Sequence, residues 1–140
     1  MKKPRILRRR IVIALLIAGI YPFSVLVCTW AFVLRSDLKG GRHGPLDAYR
    51  HALASSLVSY TIGTWAVNLT TSVFESSGKA SNHMDRHNNR IGAAIGARSG
   101  SFTELERSVS QAVENGTVNS ADPWRITWLN ENQWRNGRFW

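Results

Sequence analysis

Two long stretches of the chain carry no charged residue, and their polar content separates them. Ile11 to Leu34 runs for 24 positions, IVIALLIAGIYPFSVLVCTWAFVL, with apolar side chains on every face. As a helix it reaches roughly 36 Å, more than the roughly 30 Å of hydrocarbon in a bilayer. A core helix so long and so uniformly apolar needs a larger protein around it than 140 residues provide. The pattern therefore predicts a transmembrane helix over 11–34. Pro22 is tolerated there when neighbouring groups satisfy the freed carbonyl. A cleaved signal peptide fits less well, because the run exceeds the usual apolar core of about 7–15 residues and no A-x-A-like site follows it. A lipoprotein site at Cys28 is disfavoured by bulky Val27 where a small residue is expected, so Cys28 reads as a lipid-facing or packing residue.

The second uncharged stretch, Ala52 to Phe74, spans 23 residues, nine of which are Ser, Thr or Asn. Gly44-Pro45 marks a helix start, with Asp47 in the first turn where the helix dipole favours an acid. From there Asp47, Arg50, His51, Ala54, Leu57, Val58, Ile62, Trp65, Ala66, Leu69 and Val73 recur at intervals of three and four, predicting one face of a long amphipathic helix. The hydroxyl-bearing residues are expected to lie largely opposite it. A half-buried soluble helix is the reading preferred over a second membrane span. Glu75 to Ala80 reads as a turn. Ser81 or Asn82 is expected to cap a helix running through Gly96, with Gly92, Gly96 and Gly100 forming a thin stripe for a close partner helix. Ser101 and Glu104 make a capping-box pattern for a last helix, with Leu105, Val109, Ala112 and Val113 as its apolar face and Asn115-Gly116 at its end.

The fold expected is all-α: one N-terminal transmembrane helix followed by a small helical domain. Residues 1–10 form a basic tail, 11–34 the span, and 35–43 a linker made flexible by Gly40 and Gly41. Residues 44–116 form the helical domain, and 117–140 a Trp-rich tail packing on the domain or the membrane surface. In that tail Trp124 and Trp128 stand one helical turn apart, and Trp134, Arg135, Arg138 and Trp140 alternate rings with cations.

Charge refines this picture. The net charge of +9 suggests nucleic acid until it is located. Six of the 18 basic residues, Lys2, Lys3, Arg5, Arg8, Arg9 and Arg10, fall in the first ten positions, and the chain from Arg35 onward is only +3. The basic cluster is a topology determinant and an anionic-lipid contact, which places the N-terminus in the cytoplasm and the domain in the periplasm or outside, anchored in a bacterial inner membrane. The expected partner is the lipid bilayer, with other envelope proteins as further candidates and nucleic acid disfavoured. A single cysteine excludes an internal disulfide and any zinc site built on several thiolates.

Two polar groups stand out on otherwise apolar helices. Asp47, Arg50 and His51 can share one patch, the carboxylate fixing the imidazole and the guanidinium offering a fork for oxyanions. An internal salt bridge at a helix start is the simpler reading of this trio. Asp85, His87, Asn88 and Asn89, with His83 a turn earlier, are dense for a helix interior, a local conflict that marks functional sites. His83 and His87 are four apart, but H-M-D-R-H sets its acid two residues after the first histidine, unlike H-E-x-x-H, and no clear third ligand exists. No metal or other cofactor is expected.

Gly44-Pro45-Leu46-Asp47-Ala48-Tyr49-Arg50-His51-Ala52, followed by Met84-Asp85-Arg86-His87-Asn88-Asn89-Arg90-Ile91-Gly92, resembles a bacterial helical domain with the pattern D-A-[FY]-R-H-A … M-D-x-H-N-N-x-x-G. That pattern occurs in domains of unknown function and is similar to a predicted toxin domain of polymorphic toxin systems, the type 44 group. The resemblance covers Gly44 to Gly116 and implies that Asp47, Arg50, His51, Asp85, His87, Asn88 and Asn89 form the polar site. Ala54 and Ala93 depart from it, standing where the family often has tryptophan and arginine.

On this reading the domain hydrolyses a phosphodiester, phospholipid or cell-wall substrate. His51, oriented by Asp47, is the base, His87 the acid, and Arg50 with Asn88 hold a developing anion. Water is the attacking group, since neither motif offers a nucleophilic Ser or Cys. The rival is a noncatalytic envelope or secretion-complex component in which the same residues form a structural network. A shared site requires the His51 and His87 rings to lie within about 8 Å, the range over which mutations couple.

Overall fold

The computed structural model describes residues 3–74 and 80–138. Five helices account for most of it: α1 (Lys3–Arg35), α2 (Pro45–Thr61), α3 (Thr64–Phe74), α4 (Ala80–Arg98) and α5 (Phe102–Glu114). Among the described residues, α1 alone is long and apolar enough to cross a membrane, over Leu7–Arg35. The expected turn at 75–79 and Trp140 lie outside the described residues.

The periodic stretch from Asp47 to Val73 is two helices. Gly63 has φ +126°, a left-handed value that breaks the helix between Thr61 and Thr64. Glycine adopts it without strain, and the apolar rhythm passes through the break unchanged, so periodicity alone could not register the corner. Nor does α2 expose its serines. Ser55, Ser56 and Ser59 are all buried, Ser55 Oγ donating to Asn89 Oδ1 at 2.8 Å and Ser59 Oγ to the Ala93 carbonyl at 2.7 Å. Small residues are needed here because α4 lies directly against α2. A Cβ on Gly92 would stand 2.2 Å from the Ala52 carbonyl oxygen, and one on Gly96 2.1 Å from that of Ser56. Gly100 takes no part, meeting only the tip of the Glu104 side chain. Thus α2 is the central helix, with Leu46, Ala48, Leu53 and Leu57 in the core and its serines on α4.

The core also includes Val33 of α1, fully buried, and Val25, Trp30 and Phe32 pack against it. The domain therefore begins within the last turns of the apolar helix, and the segment after α1 is not a flexible linker. Gly40 and Gly41 are buried, and a Cβ on Gly41 would meet the Gly137 carbonyl oxygen at 1.7 Å. These glycines serve close packing. Helix α4 starts at Ala80, a residue or two before the expected cap. At α5 the cap is as the sequence implied: Glu104 N–H donates to Ser101 Oγ at 3.2 Å, while the Glu104 carboxylate accepts from Gly100 N–H at 2.9 Å.

Among its described residues the C-terminal tail has no α-helix, only a single 3-10 turn at Glu131–Gln133. Two short strands, β1 (Thr117–Val118) and β2 (Thr127–Trp128), pair in parallel, and Arg42 and Arg135 form a single antiparallel bridge. Trp128 packs on the core, Trp134 Nε1 donates to the Leu129 carbonyl at 2.7 Å, and Trp124 is exposed. Two of the tail tryptophans thus cover the domain, with Trp134 against Gly40 and Gly44.

Candidate functional site

The packing of α4 on α2 brings the two polar motifs together through Asp85. Asp47 is the hub, its carboxylate almost fully buried at the start of α2. Its Oδ2 accepts from His43 N–H at 2.6 Å and its Oδ1 from Arg50 Nη2. Arg50 also donates to the Gly41 carbonyl at 3.2 Å and stacks over Trp30 of α1 at 5.6 Å, tying α2 to the preceding segment. His51 Nε2 lies 3.5 Å from Asp47 Oδ1 and 3.6 Å from Asp85 Oδ1, an imidazole held between two carboxylates. The second distance is too long for a hydrogen bond, and Asp85 Oδ1 is buried with no hydrogen-bond partner. A polar pocket of about 330 Å³ opens here, walled by Arg42, His43, Asp47, Arg50, His51 and Asp85.

Residues two apart on a helix point about 200° from each other. His87 accordingly leaves this pocket, while Asn88, about 60° round from Asp85 and one turn further along, is held by bonds to the C-terminal tail. His87 Nε2 is 2.8 Å from the Arg125 carbonyl oxygen. Asn88 is fully buried and pairs with both backbone groups of Thr127, donating to its carbonyl at 2.8 Å and accepting its N–H at 3.0 Å. The motifs meet, but through Asp85 and His51, whereas His87 and Asn88 carry β2. Asn89 faces α2 through Ser55. Asn88→Ala should therefore cost about 2–4 kcal/mol, since it strands two buried backbone groups. Thermal melts check it, and loss of tail protection in hydrogen exchange should accompany the drop.

Sequence reasoning missed His43. Its Nδ1 is buried without a hydrogen-bond partner and lies 3.9 Å from Asp47 Oδ2, and its φ of 65° is left-handed in a non-glycine residue. Such local strain gathers at functional sites. Burial holds its pKa below the usual histidine value, with Arg42, Arg135 and His51 adding to burial and Asp47 opposing it. The available signal was the Gly-Arg-His-Gly context with Asp47 four residues on, since a histidine between glycines can turn back onto a helix start.

Asp85 is the most perturbed group of the pocket. Burial first, then the neighbouring charge of Asp47, pushes its carboxyl up to about 7 against the pull of Arg50 and Arg42. The folded state thus keeps a proton that the unfolded chain releases near pH 4. Folded stability is then greatest below the unfolded value and falls as pH rises from about 4 to about 7. Asp85→Asn should remove this slope and raise stability at pH 8 by about 2 kcal/mol, part of the full linkage value because water reaches the group. Melting curves from pH 4 to 8 on both proteins test it.

Asp47, His51 and Asp85 also offer three ligand atoms within 4.8 Å of one another, a set able to hold a divalent ion. This trio differs from the His83 and His87 pair weighed on spacing. An ion there would compete with Arg50 for Asp47 Oδ1.

The family model described as Domain of unknown function (DUF6973) matches residues 29–120. The match starts where α1 enters the core at Thr29 and Val33 and contains all of the polar cluster. No curated protein and no solved structure matches the chain.

Proposed function

This chain belongs to the family described as Domain of unknown function (DUF6973), and from that premise we propose that it is a membrane-anchored hydrolase whose site is the His51 and Asp85 pocket. The observation that carries the reading is the imidazole at 3.5 Å and 3.6 Å from two carboxylates, one buried and bonded, the other without a hydrogen bond at Oδ1. Asp47 orients His51, and His51 takes a proton from the attacking water. Asp85, which keeps its proton up to about pH 7, gives it to the leaving oxygen, the role that the sequence reading of a hydrolase gave to His87. Arg50 and Arg42 on the pocket wall suit a phosphate-bearing substrate.

In this proposal α1 is a single span of a bacterial inner membrane, the basic first ten residues keep the N-terminus in the cytoplasm, and the domain faces the periplasm or the exterior. The similarity of its two motifs to the type 44 polymorphic toxin group belongs to the same proposal. The competing reading, a noncatalytic envelope component, is favoured by the bonds of His87 and Asn88 to the tail. Purified full-length chain offered bis(p-nitrophenyl) phosphate, phospholipid vesicles and peptidoglycan separates the two. Turnover of one class is expected, with a rate that falls above pH 7, and Asp85→Asn should both lower that rate by about 10²–10⁴ and remove the limb. Absence of turnover on all three would favour the noncatalytic component.

A further inference from the structure

The polar pocket does not end at His51. The same side chain also lines a cleft of about 620 Å³ between α1, α2 and α3, within the roughly 300–1,000 Å³ of small-ligand sites. Its walls are largely apolar: Tyr21 and Val25 from α1, Ala54 and Val58 from α2, Val67 from α3. One wall is thus the helix that is long and apolar enough to cross a membrane. Tyr21 Oη lies 2.5 Å from Thr61 Oγ1, so the corner between α2 and α3 runs beside α1 some thirteen residues, about 20 Å, before its apolar run ends at Leu34.

That corner is built for hydrocarbon. Ile62, Trp65 and Leu69 are 43%, 63% and 59% exposed, and no charge occurs between Ala52 and Phe74. Two of its hydroxyls return to their own helices, Thr61 Oγ1 donating to the Leu57 carbonyl at 2.7 Å and Thr70 Oγ1 to that of Ala66 at 2.8 Å. Polar groups satisfied within a helix are what a lipid environment demands.

We infer that the corner of α2 and α3 reaches to about the middle of the bilayer beside α1, and that the cleft takes one acyl chain of a phospholipid whose phosphate lies at Arg42, Arg50 and His51. The inference rests on the membrane anchoring proposed above and names the substrate class of the pocket. A phospholipid fits both ends: an apolar cleft walled by the anchor helix, and, on the other side of the shared His51 side chain, a pocket with two arginines. Its headgroup phosphodiester is then presented beside Asp85.

Full-length chain carrying p-benzoylphenylalanine at one position, reconstituted in vesicles of phosphatidylethanolamine and phosphatidylglycerol, tests this by irradiation and mass spectrometry. Phospholipid adducts are expected from Leu15 on α1, from Leu69 on α3 and from Val58 in the cleft. Ala54→Phe, which fills the cleft, should abolish the Val58 adduct while leaving the other two. Adducts at Leu15 alone would overturn the cleft and keep the anchor. No adduct at Leu15 would overturn the anchoring, and the cleft proposal with it. A Val58 adduct unaffected by Ala54→Phe would show general lipid contact and overturn the bound chain.

Discussion

Replacing Gly92 with alanine is expected to destabilise the domain by about 3 kcal/mol or more, the upper range for overpacking, because the added Cβ meets backbone that cannot turn aside. The obstructing atoms are the carbonyl oxygen, carbon and Cα of Ala52 at 2.2–2.8 Å, so relief requires α2 and α4 to part. Parting them would also loosen the Ser55 bond to Asn89 and the Ser59 bond to the Ala93 carbonyl, and carry Asp85 away from His51. Gly100→Ala provides the contrast. It lies past the end of α4 with only a flexible carboxylate nearby, and its stability should stay within about 0.5 kcal/mol of the wild type. Chemical denaturation of both variants measures the difference. Equal effects would mean that the helices do not touch at Gly92.

The second large effect is on turnover in the proposed hydrolase activity. His51→Gln keeps a polar side chain of similar reach but cannot accept and release a proton, and should lower the hydrolytic rate by about 10²–10⁴, the usual contribution of a positioned acid or base. Its cost in stability should be small, since His51 is 28% exposed and both of its carboxylate contacts are 3.5 Å or longer. Arg50 and the His43 backbone continue to hold Asp47 in the variant. Activity measured over pH 5–9 on folded protein checks it, and a rate within a few-fold of wild type would remove His51 from the chemistry.

The parts of this structure that were legible in the sequence are those in which one residue type answers to one physical demand. An unbroken apolar run reads as a helix long and apolar enough to cross a membrane, Pro45 and Asp47 mark a helix start, and Ser101 with Glu104 marks another. The density of Asp85, His87, Asn88 and Asn89 drew attention to a helix whose polar side chains bond to α2 and to the tail. It did not say that these side chains divide by face, Asp85 toward α2 and His87 with Asn88 toward the tail, because the tail's path depends on contacts 38 and 39 residues away. The serines of α2 misled for a related reason. Polarity is usually read as exposure, yet a small hydroxyl that bonds across a close helix contact is an efficient buried residue. Gly63 was invisible because a corner can preserve periodicity, and His43 was faint because the flanking glycines and Asp47 four residues on are the sole signs of its left-handed turn onto the helix start. Two-residue strands carry too little alternation to be read at all.

The division of labour between the two histidines is the central claim, and one paired measurement addresses it: melting temperature and turnover on phospholipid vesicles for His51→Gln and His87→Gln, in the full-length chain. The two variants should show opposite signatures. His51→Gln should melt close to wild type and lose turnover, whereas His87→Gln, which gives up its bond to the Arg125 carbonyl, should melt lower and retain turnover per folded molecule. If instead His87→Gln melts like wild type and abolishes turnover while His51→Gln stays active, the chemistry lies on the other face of α4 and the assignment made here is contradicted.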